Sequence, residues 1–363
     1  MKITQKRYKF ANQLNADFFN TLRQRVNDHF TDNNIPKHGD HKIVIKTIVM
    51  FLLYFVPYIA IVAGWVTNPF LFVGLWLIMG LGGAGIGVNV MHDANHGAWS
   101  KSKWWNNVMG KSVNLIGGNA RTWQLQHNVL HHAYTNVEGM DHDLDGPVFL
   151  RFSPTQEKKG YHRFQHIYAW FFYGLQTFAR TLATDFTNAK LFRDRGLIRK
   201  PKEYRDILLN IAYGKIFYFI YILAVPLIFS PAPWWLIIVG FATMHYVLGL
   251  MLALIFQSAH VMPECQFPVA NTEGTIENNW AVHQMQTTTN FSPNSRVFSW
   301  FVGGLNFQIE HHLFSNICHT HYRELSKIVS ETAQEFGIKY NQQKSFARAI
   351  WEHGKMLKSL GRA

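Results

Sequence analysis

His92-Asp93-Ala94-Asn95-His96 and His127-Asn128-Val129-Leu130-His131-His132 bound the stretch from which the rest of the chain can be read. Five histidines fall between residues 92 and 132, and four of them form two pairs at i, i+4. On an α-helix that spacing puts both imidazoles on one face, one turn apart, within reach of the same ion. Gln308-Ile309-Glu310-His311-His312 repeats the theme near the other end of the chain. Neutral imidazole is the commonest biological metal ligand, so the recurrence predicts a metal site, and seven or more imidazoles predict more than one ion.

What surrounds these motifs is short of charge. Only 16% of the residues are Asp, Glu, Lys or Arg, against roughly 25% in soluble domains. Residues 47–91 contain none of the four, and neither do residues 216–259. Each block has room for two membrane spans of about 20 residues and a turn. Gly64-Trp65-Val66-Thr67-Asn68-Pro69 breaks the first block and Ser230-Pro231-Ala232-Pro233 the second. The expected fold is an all-α integral membrane protein with four transmembrane helices in two hairpins, at about 43–63, 70–91, 211–229 and 234–258. Residues 1–42, 92–206 and 259–363 form a helical cap on a single 1–363 domain. Both hairpin turns lack Lys and Arg, which places the cap and both termini in the cytoplasm. Trp65 and Trp234-Trp235 suit the outer interface. The net charge of +13 then belongs to a membrane surface rather than to a nucleic-acid partner.

The first uncharged block ends at Met91, immediately before His92. The second ends at Ala259, immediately before His260. Both spans leave the membrane on the same side, so these two histidines are expected side by side, which makes His260 a ligand candidate. His245, inside the fourth span, reads as a packing residue. Leu14, Phe18, Phe19, Leu22, Val26 and Phe30 form a helical apolar stripe, lying on the membrane or capping the cytoplasmic part. Ile167 to Phe178 is aromatic and expected in the membrane surface, being too short to span. Tyr322 to Phe336 and Ser345 to Leu357 read as amphipathic helices. Cys265 and Cys318 are expected to be reduced on the cytoplasmic side.

All-histidine ligation admits zinc or iron on donor type. Zinc takes about four ligands, and its structural sites usually include Cys. Eight or nine donors suit two ions that each keep an open position, and a dinuclear iron site open to oxygen uses them all. An unactivated C–H bond demands a strong metal oxidant, because no acid–base side chain removes that hydrogen. On the residues alone, a hydroxylase of alkyl chains or sterols on the same scaffold stays open, as does a zinc-binding membrane receptor or hydrolase.

The boxes HxxxH, HxxxHH and QxxHH, with Gly117 to Asp145, Trp280 to Pro293 and Gly303 to Phe314, resemble the membrane fatty acid desaturase family. They are most similar to its front-end branch of linoleoyl-CoA or delta-6 acyl-lipid type, whose third box begins with Gln. The resemblance implies two Fe ions, O2 as co-substrate and a cis double bond introduced into a CoA- or lipid-linked acyl chain. It carries ligand roles onto His92, His96, His127, His131, His132, His311 and His312, and it supports His260 and His283. Gln308, Asp93 and Glu310 are placed behind the ligands, orienting a histidine or a bound water. His283 is expected to compensate for Gln308. Asp141, Asp143 and Asp145 are either histidine supports or a solvated loop. Two departures stand out: Ser315 occupies a usual Pro position, and no haem-binding His-Pro-Gly-Gly motif occurs. The expected electron donor is therefore a separate ferredoxin- or cytochrome-type carrier with its reductase. A bacterial-like form of this kind sits in the cytoplasmic (inner) membrane.

Overall fold

The computed structural model describes residues 8–11, 15–144 and 146–363; Leu14 and Asp145, singled out above, lie outside them. Four helices are long and apolar enough to cross a membrane: His41–Val62, Pro69–Asn95, Pro201–Phe229 and Trp234–His260. They are called the first to fourth spans below. Local chemistry starts each one. The Asp40 side chain accepts from the Lys42 N–H, and Asn68 accepts from Phe70 and Leu71 ahead of Pro69 in the first turn, so N–H groups without a helical partner are satisfied. The third span begins ten residues before the sequence-based boundary, because Pro201 opens a helix whose first turns are polar.

The second span is central. A Cβ on Gly82 would stand 2.8 Å from Leu53 C and Tyr54 N of the first span, and one on Gly80 would stand 2.7 Å from Met244 O of the fourth. Glycine lets the backbones touch, which is how helices associate where lipid removes the hydrophobic drive between them. The two hairpin turns meet through Gly64 and Pro231 at one end of the bundle. The cap stands at the other.

One expectation changes here and one open alternative is decided. The segment around Ile167–Phe178 does not lie flat on the surface. Helix Gln165–Ala179 packs along the fourth span, with Gln176 Nε2 donating to Gly249 O at 2.7 Å and Thr177 Oγ1 to His245 O at 2.9 Å. A Cβ on Gly249 would stand 2.5 Å from Gly174 O. Small residues on both helices allow this approach, and periodicity alone did not reveal it. The N-terminal helix Ala16–Asp32, for its part, covers the cap rather than the membrane. Phe18, Leu22, Val26 and Phe30 pack against Tyr322, Leu325, Val329 and Ala333, and Arg25 grips Glu335 through two bonds of 2.8 and 2.7 Å.

His245 is satisfied inside the bundle by Tyr218 OH at 2.7 Å and Thr177 Oγ1 at 3.1 Å. Two short parallel strand pairs, Lys9–Phe10 with Thr275–Ile276 and Asn290–Phe291 with Gln342–Gln343, staple the cap loops. The loop entering the third box turns at Gly303 and Gly304, both at φ 64°. That conformation costs a glycine little, and a Cβ on Gly303 would clash with Val88 O of the second span.

Gly82→Ala forces a methyl between two backbones and is expected to cost roughly 1–3 kcal/mol, seen as a lower melting temperature in detergent. Gly74→Ala meets nothing within 4 Å and is expected to melt within roughly 0.5 kcal/mol of the parent. Equal behaviour of the two variants would contradict the helix contact.

Candidate metal centre

At the cap end of the bundle, imidazole nitrogens converge in two sets. His92, His96, His127 and His311 each place one donor atom within 4.8 Å of the others, and so do His131, His260 and His312. His132 stands between the sets. Its Nε2 is 3.2 Å from His127 Nε2 and 3.0 Å from His311 Nε2, while its ring stacks on His312 at 4.5 Å. His92 Nε2 lies 3.3 Å from His127 Nε2. All of these residues except the half-buried His96 are buried.

Helical geometry explains which histidine joins which set. Residues Leu125–His131 form a π-helical turn, in which the His132 N–H bonds to His127 O at 3.0 Å. The wider turn aligns i with i+5. His127 therefore faces His132, and His131 swings to the other set, against the α-helical reading of the second box. A second π-helical turn, Ile86–Met91, precedes His92. His92 and His96 stay together, as an α-helical i, i+4 pair should.

Four of the rings are held by their other nitrogen. His131 Nδ1 faces both oxygens of Asp141 at 3.1 Å, His312 Nδ1 faces Gln284 Oε1 at 2.8 Å, His260 Nδ1 faces Thr287 O at 3.3 Å, and His311 Nδ1 faces Tyr322 OH at 3.2 Å. Such bonds fix the tautomer and leave Nε2 as the free donor. Nε2 of His96, His131, His260 and His312 is buried without a protein partner among the described residues. Two nitrogens about 2.0–2.1 Å from a shared ion lie about 2.9–3.4 Å apart at right or tetrahedral angles. The 3.0–3.3 Å separations and the orphaned Nε2 atoms therefore fit metal ions, and two donor sets fit two.

Three expected residues are placed differently. His283 is buried edge-on against Phe10 at 5.1 Å and belongs to neither set. Helix Trp280–Thr287 does reach the centre, but one residue later, through Gln284. Glu310 contacts Asn290 Nδ2 at 2.7 Å and Tyr340 OH at 2.9 Å, not an imidazole. Asp93 stands 3.7 Å from His92 Nδ1, yet its shorter contact is with His319 Nδ1 at 2.7 Å. Gln308 is fully buried, and both of its amide atoms lack partners among the described residues. Asp141 supports a histidine; Asp143 stands 3.7 Å from His131 Nδ1 and bonds Gln126 Nε2. The sequence reading missed Gln284, Thr287, Tyr322 and His319. Gln284 and Thr287 lie within the quoted Trp280 to Pro293 stretch, but nothing there marks either as facing a histidine.

Burial first, then the neighbouring imidazoles, hold His127, His132, His311 and His312 well below the ordinary imidazole range. Burial also works against charge on His131, but Asp141 and Asp143 outweigh it and raise its basicity.

The residues that match the family described as "Fatty acid desaturase" run from 67 to 344. The chain is 32% identical to a protein named sn-1 linoleoyl-lipid 6-desaturase from Synechocystis sp., covering 99% of both chains. It is 33% identical to an acyl-lipid (8-3)-desaturase of Physcomitrium patens, over 97% of this chain and 73% of that one. A second sn-1 linoleoyl-lipid 6-desaturase, from Arthrospira platensis, is 32% identical over 94% of this chain and 92% of its own.

Four imidazoles depressed in the fold gain protons on unfolding once the pH drops below their unfolded value of about 6.5. The stability of the metal-free protein is therefore full above that pH and is lost as the pH falls below it. His131 has the opposite sign and offsets part of the loss. Melting temperatures of metal-free protein are expected to fall steadily from pH 7 to pH 5; a flat profile would show that the cluster is not held neutral.

Proposed function

This chain belongs to the fatty acid desaturase family, and we propose that it introduces a cis double bond into an acyl chain carried on a membrane lipid. The carrying observation is the pair of converging, carboxylate-free imidazole sets at the mouth of a four-span bundle. The names of the relatives favour an acyl-lipid, and the third box, opened by Gln308, favours the front-end type. The balance is one acyl CH2–CH2 unit, one O2, two electrons and two protons, giving CH=CH and two waters.

Two iron ions would supply the oxygen activation that removes two unactivated hydrogens. His92, His96, His127 and His311 would hold one ion and His131, His260 and His312 the other, with His132 reaching either. Asp141, Gln284 and the Thr287 carbonyl keep Nδ1 occupied, so Nε2 stays deprotonated and aimed inward. Trp123 stacks on His127 at 4.5 Å and Phe256 stands 6.0 Å from the same ring. These two rings keep water from one side of the site. A cleft of about 20 Å³, room for about one water-sized group, opens beside His131 and His260, between Asp141 and Asp143 on one side and Phe256 and Val261 on the other. Gln308 turns its unsatisfied amide to a bound water or the substrate. His283 has no ligand role in this reading, and Gln284 takes the supporting one.

The cap faces the cytoplasm, by the asymmetry of Lys and Arg. Electrons come from a separate ferredoxin- or cytochrome-type carrier and its reductase. Exposed Lys101, Lys103 and Lys111 suit an acidic carrier; Arg121 is engaged by Glu203 at 2.9 Å.

Purified protein is expected to carry about two irons per chain. Cells expressing it should gain an unsaturated acyl-lipid with no added oxygen. His96→Ala, His131→Ala and His312→Ala should abolish product while the chain still inserts in the membrane. Zinc alone, or a hydroxylated product, would sink this reading. Turnover with an acidic carrier should also slow as salt rises, since exposed charges are screened over about 8 Å at physiological ionic strength; salt-independent turnover would exclude the lysine docking face.

A further inference from the structure

A second buried ionic chain runs beside the first imidazole set. Lys46, on the first span, is 3% exposed, His319 5% and Asp93 1%. Lys46 Nζ lies 2.7 Å from His319 Nε2 and 5.3 Å from the Trp300 ring centroid. An ammonium carries donors only. His319 Nε2 must therefore accept, which puts the ring proton on Nδ1, and that N–H donates to Asp93 Oδ2 at 2.7 Å. The His319 backbone N–H donates to the same oxygen at 3.1 Å. One carboxylate oxygen is thus doubly anchored, and the other, Oδ1, is presented to His92 Nδ1 at 3.7 Å.

Asp93, Cys318 and His319 lie close enough to suggest a third ion. Both His319 nitrogens are already spoken for, by Lys46 and by Asp93, so no lone pair is left for one. The chain is a support.

We infer that Lys46 and His319 are positioning residues for the metal centre: together they lock the orientation of Asp93, whose charged Oδ1 faces His92 Nδ1 at 3.7 Å, and so bias how that ring is set. The inference rests on the metal reading given above. Burying a lysine in a span is expensive, and such residues tend to be functional. Here the cost is met by an imidazole bonded to an ionised carboxylate, an arrangement that links the first span to the segment after the third box. Without Lys46, His319 is free to take either tautomer. The Nε2–H tautomer offers Asp93 a lone pair instead of a proton, so the carboxylate rotates and His92 loses its fixed neighbour.

The test uses full-length protein in detergent, with Lys46→Met, Lys46→Arg and His319→Leu. Each is read by ferrous-iron affinity against a competing chelator, by the Mössbauer spectrum of the bound iron, and by the melting temperature of the metal-free form. Lys46→Met leaves the Asp93 carboxylate without its counter-charge, so its metal-free form should melt lower than the parent, and the affinity and spectrum carry the test. Its iron affinity should fall about 10–100-fold, the usual effect of losing a partner behind a ligand, and its spectrum should change. His319→Leu should lose affinity to the same degree, and Lys46→Arg, which still donates to Nε2, should recover the parent's affinity and spectrum. Parent-like affinity in both Lys46→Met and His319→Leu would overturn the inference. A drop in the metal-free melting temperature with unchanged affinity would do the same, by showing a role in folding alone. A parent that binds no iron would instead overturn the metal reading itself.

Discussion

Imidazole nitrogens have been brought to within 3.0–3.3 Å of one another, beside the Nε2 atoms of His96, His131, His260 and His312, which lack partners among the described residues, and much of the cap holds them there. Nitrogen atoms so placed gain nothing from each other unless a proton or an ion lies between them. Buried acceptors without a donor cost on the order of 1–3 kcal/mol each. The compensation is built on the far side of four of the rings. A carboxylate, an amide, a backbone carbonyl and a phenol take up one Nδ1 apiece, from Asp141, Gln284, Thr287 and Tyr322. These four partners come from three separate parts of the chain, the Asp141 turn, helix Trp280–Thr287 and the start of helix Tyr322–Glu335, so the site is assembled only when these parts of the cap have closed.

The bundle carries its own electrostatic load into this arrangement. Lys215 of the third span donates to Asp185 at 2.6 Å, and Arg180 and Thr122 reach the same carboxylate. Arg180 also donates to Gln126 Oε1 at 2.8 Å, and Gln126 in turn bonds Asp143, which stands behind His127 and His131. Charges inside a membrane bundle need partners. Here the partners form a continuous path from the third span to the second box, so packing of the spans and placement of the histidines are one problem rather than two.

The sequence made the spans legible because lipid forbids charge, and two uncharged blocks, each opened by a lysine and closed by a histidine, are hard to mistake. The histidine boxes were legible for a similar reason: few structures need so many imidazoles at helical spacing. What escaped was side-chain direction. Whether a box is wound as α or π changes which neighbour a histidine faces, and nothing in His127 to His132 announces the wider turn. His283 looked like a ligand and Gln284 like a bystander, yet one step of about 100° along the helix exchanges those roles. Glu310 and Asp93, both next to box histidines, looked alike. The fold gives one to Asn290 and Tyr340 and the other to His319, because adjacency in sequence places a side chain on a different helical face, not beside its neighbour. Helix Gln165–Ala179 was misjudged because its docking depends on glycines in two segments far apart in sequence.

Where the carboxylates sit makes the two donor sets chemically unlike before any ion is considered. No carboxylate enters either set, but the distribution behind them is uneven. In the second set, Asp141 and Asp143 both stand behind His131 and lift its basicity above the ordinary value, against the effect of burial. In the first set, His127 and His311 are pushed well below it by burial and by each other's neighbours. Two carboxylates stand near that set without bonding it: Asp143 lies 3.8 Å from His127 Nδ1, and Asp93 gives its shortest contact to His319. Burial also pushes Glu310 up to about 7, so the acid nearest the third box carries only part of a negative charge at neutral pH. A more basic imidazole is a stronger donor. The set containing His131 is therefore built to donate more strongly than the set containing His127, and His132, stacked on His312 and touching His127 and His311, is the one ring placed to feel both.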